Sequence, residues 1–255
     1  MTDQDRESAV TEAFVSLANS LVDGFDVVDL LTGLTTDCAR LLDIASAGLL
    51  LADSQGVLHV VAASTEGTRN LELFQLQRDQ GPCLECFRDG TPISVDDLSQ
   101  HTQRWPQFVA AAIAAGFAAV HAVPMRLRNE VLGTLGLFGA STGPLSERDL
   151  RLSQALAHVA SVAILQDKTV VDKTAIAEQL QAALTSRVVL EQAKGVLAQR
   201  GDLNMDQAFA QLRRYARDHN QRLTDVARAV VTRALPARHV LDHAASRVHP
   251  PTSRP

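Results

Sequence analysis

The first half of the chain mixes apolar segments of two periodicities, which predicts helices and strands together. Apolar residues recur at helical spacing between Phe14 and Leu21 and again between Leu30 and Leu42, so two helices are expected near the start. Two pairs of short apolar segments, each pair joined by a polar turn, predict β-hairpins: 47–52 with 57–62, and 119–127 with 131–139. Hairpins form antiparallel sheets that need helices on at least one face, so the sequence predicts an α+β fold.

The segment between the hairpins predicts four shorter elements. Residues 71–76 alternate apolar and polar side chains, which is typical of a strand. A short helix is expected from Gly81-Pro82 to Arg88, since proline suits the first turn of a helix. Residues 91–95 predict a brief strand, and residues 105–115 predict a helix.

The middle of the chain predicts one long helix, because no glycine or proline occurs between Pro144 and Gly195. Apolar residues repeat there in alternating steps of four and three from Leu152 to Leu184, interrupted by Gln166 and Lys173. This heptad pattern predicts a connecting coiled-coil helix over residues 146–184 and a parallel homodimer. The alternative is that the first part packs on its own sheet and only the remainder pairs.

Two shorter helices are predicted next, with Asn204 and Thr224 as their N-caps. Pro236 is expected to end the second of them. Pro250, Pro251 and Pro255 lead us to expect a disordered tail over residues 239–255.

Charge divides the chain into two parts of opposite sign. Residues 1–172 carry a net charge of -11 and residues 173–255 a net charge of +6, so the basic part is a candidate for a polyanionic partner. Three cysteines are too few for a disulfide scaffold. The polar N-terminus and the absence of a long apolar run predict a cytoplasmic protein that does not enter a membrane.

The basic part contains a specific set of short motifs in the order Ser186-Arg187, Ala193-Lys194-Gly195, Ala208-Phe209, Leu212-Arg213 and Leu223-x-x-Val226-Ala227. These motifs resemble the ANTAR domain over residues 176–236. The resemblance implies a three-helix domain that binds RNA as a dimer. It also implies that the targets are small hairpins in nascent leader transcripts, where binding prevents a terminator from forming.

Basic side chains on these helices are the candidate RNA contacts. Arg187 and Lys194 are seven residues apart and therefore share a helix face. Gly195 lowers helix propensity, so its missing side chain is expected to allow close approach of a helix or a phosphate. Three further candidates cluster on the second helix: Arg213, Arg214 and Arg217. A DNA-binding helix-turn-helix is the alternative function, and the Ala-Lys-Gly motif favours RNA.

The acidic part resembles a GAF domain of the kind fused to ANTAR modules in actinobacteria, over residues 10–167. The residues that carry this resemblance include Asp26-Val27-Val28-Asp29, Ala47 to Asp53, Gln80-Gly81-Pro82-Cys83, Trp105-Pro106-Gln107-Phe108 and Val123-Pro124-Met125. The resemblance implies a six-stranded antiparallel sheet with helices, acting as a sensor that can hold a small molecule. It identifies neither the ligand nor a cofactor.

Cys83 and Cys86 form the one Cys-x-x-Cys pair and are candidates for redox sensing. Cys83 lies at a predicted helix start, where its pKa is expected to be lowered. Small buried residues at a helix start are the favoured alternative, and a metal site is not expected because only Cys38 remains. No catalytic motif is present, so we expect a regulator and not an enzyme.

Overall fold

The computed structural model describes residues 3–20, 27–128, 130–165 and 173–248, which form two compact units, Met1–Ala183 and Leu184–Pro255. The elements of the first unit are α1 (Asp3–Ser20), α2 (Val27–Leu41), β1 (Ser46–Ala52), β2 (Leu58–Ala63), α3 (Glu66–Arg78), α4 (Pro82–Asp89), β3 (Ile93–Val95), a 3-10 turn (Leu98–His101), α5 (Pro106–Ala114), β4 (Ala119–Leu127), β5 (Glu130–Gly139) and α6 (Glu147–Leu165).

The strands form one antiparallel sheet in the order β2-β1-β5-β4-β3. Both predicted hairpins are confirmed, because β1 pairs with β2 and β4 pairs with β5. Helices cover both faces of the sheet. Helices α3, α4 and α5 lie on the face that carries Leu50 and Phe138, and α2 and α6 pack on the other, with α1 against α2.

The prediction of a strand over residues 71–76 is wrong, because these residues lie inside α3. Thr65 caps that helix by accepting a hydrogen bond from the Thr68 backbone N–H, and the residues buried along it, Leu71, Glu72 and Gln75, fit a helical repeat. Without that strand, the sheet described here has five strands and not the expected six.

Helix α6 packs along its own sheet, which corrects the prediction of a dimer seam from Leu152 onwards. Leu156, Ala160 and Ile164 are all buried, and the helix contacts β4 and α2. The structure therefore agrees with the first part of the alternative, in which α6 covers its own sheet, and pairing by the remainder stays a prediction. Residues 166–172, and the side chains of residues 173–184, lie outside the described part of the chain.

The second unit is helical throughout its described residues. Its elements are α7 (Lys173–Gly201), which begins ahead of the unit boundary, α8 (Met205–Asp218), α9 (Leu223–Val231) and α10 (Ala237–Val248). Leu190, Leu197, Leu212, Val226 and Val240 are among its buried residues. The capping box of Asn204 and Gln207 is present at the start of α8, as predicted.

Two details of this unit differ from the sequence prediction. Helix α9 has Arg222 and not Thr224 as its N-cap, because the helix already begins at Leu223. Residues 239–248 of the predicted disordered tail belong to α10, which packs on α8. His243 holds α10 there: its Nε2 atom lies 2.8 Å from Asp218 Oδ2, and its ring contacts the Tyr215 ring edge-on. Residues 249–255 lie outside the described part.

Candidate functional site

The outer face of α8 presents the most concentrated of the predicted basic residues. Ala208, Leu212 and Ala216 are buried on the inner face of this helix. Arg214 and Arg217 are exposed on the other side, and Arg213, one turn before Arg217, is half-buried. The three guanidinium groups therefore lie within about a third of the helix circumference, which suits a run of phosphate groups.

Arg187 and Lys194 share a face of α7 as predicted, but that face is buried. They are 7% and 3% exposed. Both bind Glu191, which lies between them: Arg187 Nη2 is 2.6 Å from Glu191 Oε1, and Lys194 Nζ is 3.1 Å from Glu191 Oε2. The expectation that these two residues form an outer contact surface is therefore corrected. The seven-residue spacing correctly predicted that the two side chains share a helix face. It could not show that this face points into the domain.

Lys194 also ties α7 to α8, since its Nζ atom lies 6.0 Å from the centroid of the Phe209 ring. A cation over an aromatic face is attracted by the ring quadrupole. Lys194 is thus in contact with α8, the helix that carries the exposed arginines.

Gly195 occupies an exposed position on α7, and a Cβ atom placed there would meet nothing within 4 Å. The packing of this unit therefore does not require a glycine here. Because glycine costs about 1 kcal/mol relative to alanine inside a helix, Gly195 lowers the helix propensity of α7 at a position that has room for a side chain.

Sequence reasoning missed a groove in the second unit with a volume of about 470 Å³. Three exposed arginines line it: Arg200 at the end of α7, Arg233 after α9 and Arg238 at the start of α10. They are far apart in sequence and belong to separate elements. In the sequence, only the net positive charge of residues 173–255 indicates that arginines could gather in this way.

The first unit contains a buried polar cluster between its sheet and the helices α3 and α4. Gly48 and Gly136 pair directly across β1 and β5, and a Cβ atom at either would lie 2.7–2.8 Å from Glu72 Oε1. The two glycines thus leave a notch in the sheet that the Glu72 carboxyl group fills. Gln75 Nε2 donates a hydrogen bond to Glu72 Oε2, and Cys83 Sγ lies 3.6 Å from Glu72 Oε1.

The thiol chemistry expected from the sequence is not favoured by this environment. Burial raises the pKa of Cys83 well above its ordinary value, and the neighbouring Glu72 adds to the effect. Burial also raises the pKa of Cys86 to about 12. The expectation of a lowered pKa at Cys83 is therefore wrong, because burial outweighs the start of helix α4. Both thiols are free and buried, as in the alternative of small buried residues.

The described residues contain no cluster of side chains that could hold a metal ion. Within the same part of the chain, no helix is both long and apolar enough to cross a membrane. A second groove, of about 290 Å³, lies on the first unit between β4 and α6, and its lining includes Arg126 and His158.

Family models match both units. A GAF domain model matches residues 26–165, which is more than half of the chain. The chain belongs to the GAF domain family. An ANTAR domain model matches residues 178–231, which cover most of α7 and all of α8 and α9. The protein therefore joins a GAF sensor domain to an ANTAR domain, the mark of RNA-binding antitermination regulators, and both domains are regulatory and not catalytic.

Solved structures similar to this chain include further GAF domains. One comes from an Acinetobacter phosphoenolpyruvate-protein phosphotransferase, with 13% identity, a TM-score of 0.48, and coverage of 64% of this chain and 94% of that one. Another, from the corresponding Coxiella burnetii protein, has 14% identity and a TM-score of 0.48, and the match covers 62% of this chain and 93% of that one. A GAF domain/HD domain protein from Geobacter sulfurreducens has 17% identity and a TM-score of 0.47, and the match covers 64% of this chain and 98% of that one. A comparison with curated proteins found no match.

Glu72 should make the stability of the GAF domain depend on pH. Burial raises the pKa of Glu72 from 4.5 to about 8, against the lowering effect of its hydrogen bonds with Cys83 and Gln75. The folded state therefore favours the protonated carboxyl group, and stability falls as pH rises from about 4.5 to about 8. We expect a loss on the order of 3 kcal/mol between pH 5 and pH 8.

Glu72→Gln should remove most of this pH dependence. The glutamine carbonyl can still accept the hydrogen bond of Gln75 and cannot ionise. Trp105 is the only tryptophan of the chain and lies in the GAF domain, so urea unfolding followed by its fluorescence reports on this domain. An equal loss of stability in the variant between pH 5 and pH 8 would show that Glu72 is not the responsible group.

Proposed function

We propose that this protein binds small hairpins in nascent leader transcripts as a homodimer and prevents terminator formation, under the control of its GAF domain. The exposed arginine face of α8, inside the ANTAR domain, carries this proposal. Arg213, Arg214 and Arg217 bind RNA phosphates there. Arg187 and Lys194 act indirectly by holding Glu191 and orienting α8.

The exposed surface of α7 supports the homodimer. An exposed and uncharged strip runs along this helix at steps of three and four residues: Thr185, Val188, Gln192, Gly195 and Gln199. Val188 is 58% exposed, which is unusual for a large apolar side chain. A second copy packed on this strip would cover Val188 and make use of the open space at Gly195.

The opposite charges of the two parts of the chain support separate roles for them. Residues 1–172, at -11, repel a polyanion, whereas residues 173–255, at +6, attract one. RNA contacts therefore come from the ANTAR domain, and the GAF domain binds a small-molecule signal. Action on nascent transcripts places the protein in the cytoplasm.

Crosslinking of the full-length protein to nucleic acid in cells, followed by sequencing, tests this function. We expect enrichment of leader RNAs that contain hairpins ahead of a terminator. Sedimentation of the purified protein should give the mass of two chains. Enrichment of duplex promoter DNA instead would support the helix-turn-helix alternative, and a single-chain mass would contradict the homodimer.

A further inference from the structure

The groove in the ANTAR domain combines apolar walls with a cationic rim. Val196, Val231 and Leu235 line it on one hand, and the exposed arginines Arg200, Arg233 and Arg238 line it on the other. Its volume of about 470 Å³ lies in the range of small-ligand sites, roughly 300–1,000 Å³. A groove of this size can admit a single nucleotide, whereas an intact duplex is too large to enter it.

The three guanidinium groups lack an anionic partner among the residues that the structure describes, since none of them forms an ion pair there. Arginine binds phosphate oxygens with two parallel hydrogen bonds, which also fix the orientation of the phosphate. Three arginines that line one groove concentrate positive charge there, and a bound anion offsets that charge. The charge of the groove thus favours a phosphorylated ligand.

Arg233 is one of six non-glycine residues in the described part of the chain whose backbone is in the left-handed region, with φ +64°. This residue follows the end of α9, where its N–H donates to the Val230 carbonyl oxygen at 3.2 Å. Glycine is the favoured residue at such a position, and an arginine there carries a conformational cost. Glycine therefore suits this position, and Arg233→Gly removes the side chain without disturbing the backbone.

We propose that this groove binds one unpaired nucleotide of the RNA, with the base against the apolar walls and the phosphate held by Arg200, Arg233 and Arg238. The proposal rests on the proposed RNA-binding function and adds a second contact region to the arginine face of α8. Unpaired nucleotides suit the groove because only a base that has left the stack can enter it. Apolar contact with the base and phosphate contact with the rim then act together.

Two RNA probes and two groove variants test the proposal in the full-length protein. The first probe is the most enriched hairpin from the crosslinking experiment, and the second has the same stem with abasic nucleotides in the loop. The variants are Arg200→Gln and Arg233→Gly, and the latter should leave the fold intact because glycine suits the backbone there. Arg228→Gln is the matched control, an exposed arginine of α9 that does not line the groove.

We expect each groove variant to bind the intact hairpin about tenfold more weakly than the control, which corresponds to the loss of one charge-assisted hydrogen bond. The wild type should bind the abasic probe more weakly than the intact probe. Arg233→Gly should bind both probes alike, because the base no longer has a fixed place in the groove. Thermal unfolding, followed by circular dichroism, should be unchanged or slightly higher for Arg233→Gly.

Three results would overturn the proposal. Groove variants that bind the intact hairpin as tightly as Arg228→Gln would remove the groove from the interface, while continued RNA binding would leave the proposed function standing. If the wild type bound the intact and the abasic probe equally well, the base would not be bound in the groove. A wild type that binds no hairpin would refute the groove and the proposed function together. If Arg233→Gly loses its fold, Arg238→Gln replaces it with the same expected result.

Discussion

Replacing Arg214 and Arg217 together with glutamine should lower the affinity for hairpin RNA by about 100-fold at physiological salt. Each side chain is exposed on the outer face of α8, so neither contributes to the core. Each contact to a phosphate is a charge-assisted hydrogen bond worth about 1.5 kcal/mol at the lower end of its range, so the loss of two costs about 3 kcal/mol, which is on the order of 100-fold. Fluorescence anisotropy with a labelled hairpin measures it.

Salt dependence gives a second readout of the same variant. The slope of log affinity against log salt concentration should become shallower by about 0.7 for each single-strand phosphate contact that is lost. Arg222→Gln with Arg228→Gln is the matched control, because it removes the same charge from two exposed positions of α9 and its N-cap. If the α8 variant and this control bind alike, net charge and not the α8 face governs affinity.

Replacing Gly133 with alanine should destabilise the GAF domain by about 3 kcal/mol or more. Gly133 lies in β5 opposite Leu51 of β1, and a Cβ atom there would lie 2.0 Å from the Leu50 carbonyl oxygen. That oxygen belongs to the backbone, so it can move away only if β1 and β5 separate. These two strands are neighbours inside the sheet, and Trp105 fluorescence during urea unfolding reports their loss.

Gly195→Ala is the matched control, with an expected change of the opposite sign. Within the single chain its new Cβ atom meets open space, so at concentrations where the proposed dimer dissociates the variant should gain up to about 1 kcal/mol of helix propensity in the ANTAR domain. Tyr215, the only tyrosine of the chain, reports on that domain. A Gly133→Ala protein that unfolds at the same urea concentration as the wild type would contradict the pairing of β1 with β5.

Elements with a strong local signal were predictable from the sequence. Both hairpins, the short helix after Gly81 and the capping box at Asn204 form as predicted. Hydrophobic periodicity, proline and capping residues act over a few residues, so their effect does not depend on the rest of the fold. The motifs of the GAF and ANTAR domains could also be recognised in the sequence, and both family matches agree with them.

Residues 71–76 show where a local pattern misleads. The alternation of Leu71, Glu72 and Leu73 is typical of a strand, yet these residues lie in α3, which buries both Glu72 and Gln75. The reason lies elsewhere in the chain, since Gly48 and Gly136 create the notch that receives the Glu72 carboxyl group. No pattern within α3 contains that information.

The sequence by itself determined which residues share a helix face, how the chain divides by charge and which families it resembles. Only the tertiary structure decided which faces point inward: Arg187 and Lys194 turn to Glu191 and the interior, whereas Arg214 and Arg217 stay outside. It also brought Arg200, Arg233 and Arg238 from three elements to one groove. Helical spacing is a property of the local backbone, whereas burial depends on what packs opposite, and residues distant in sequence supply that surface.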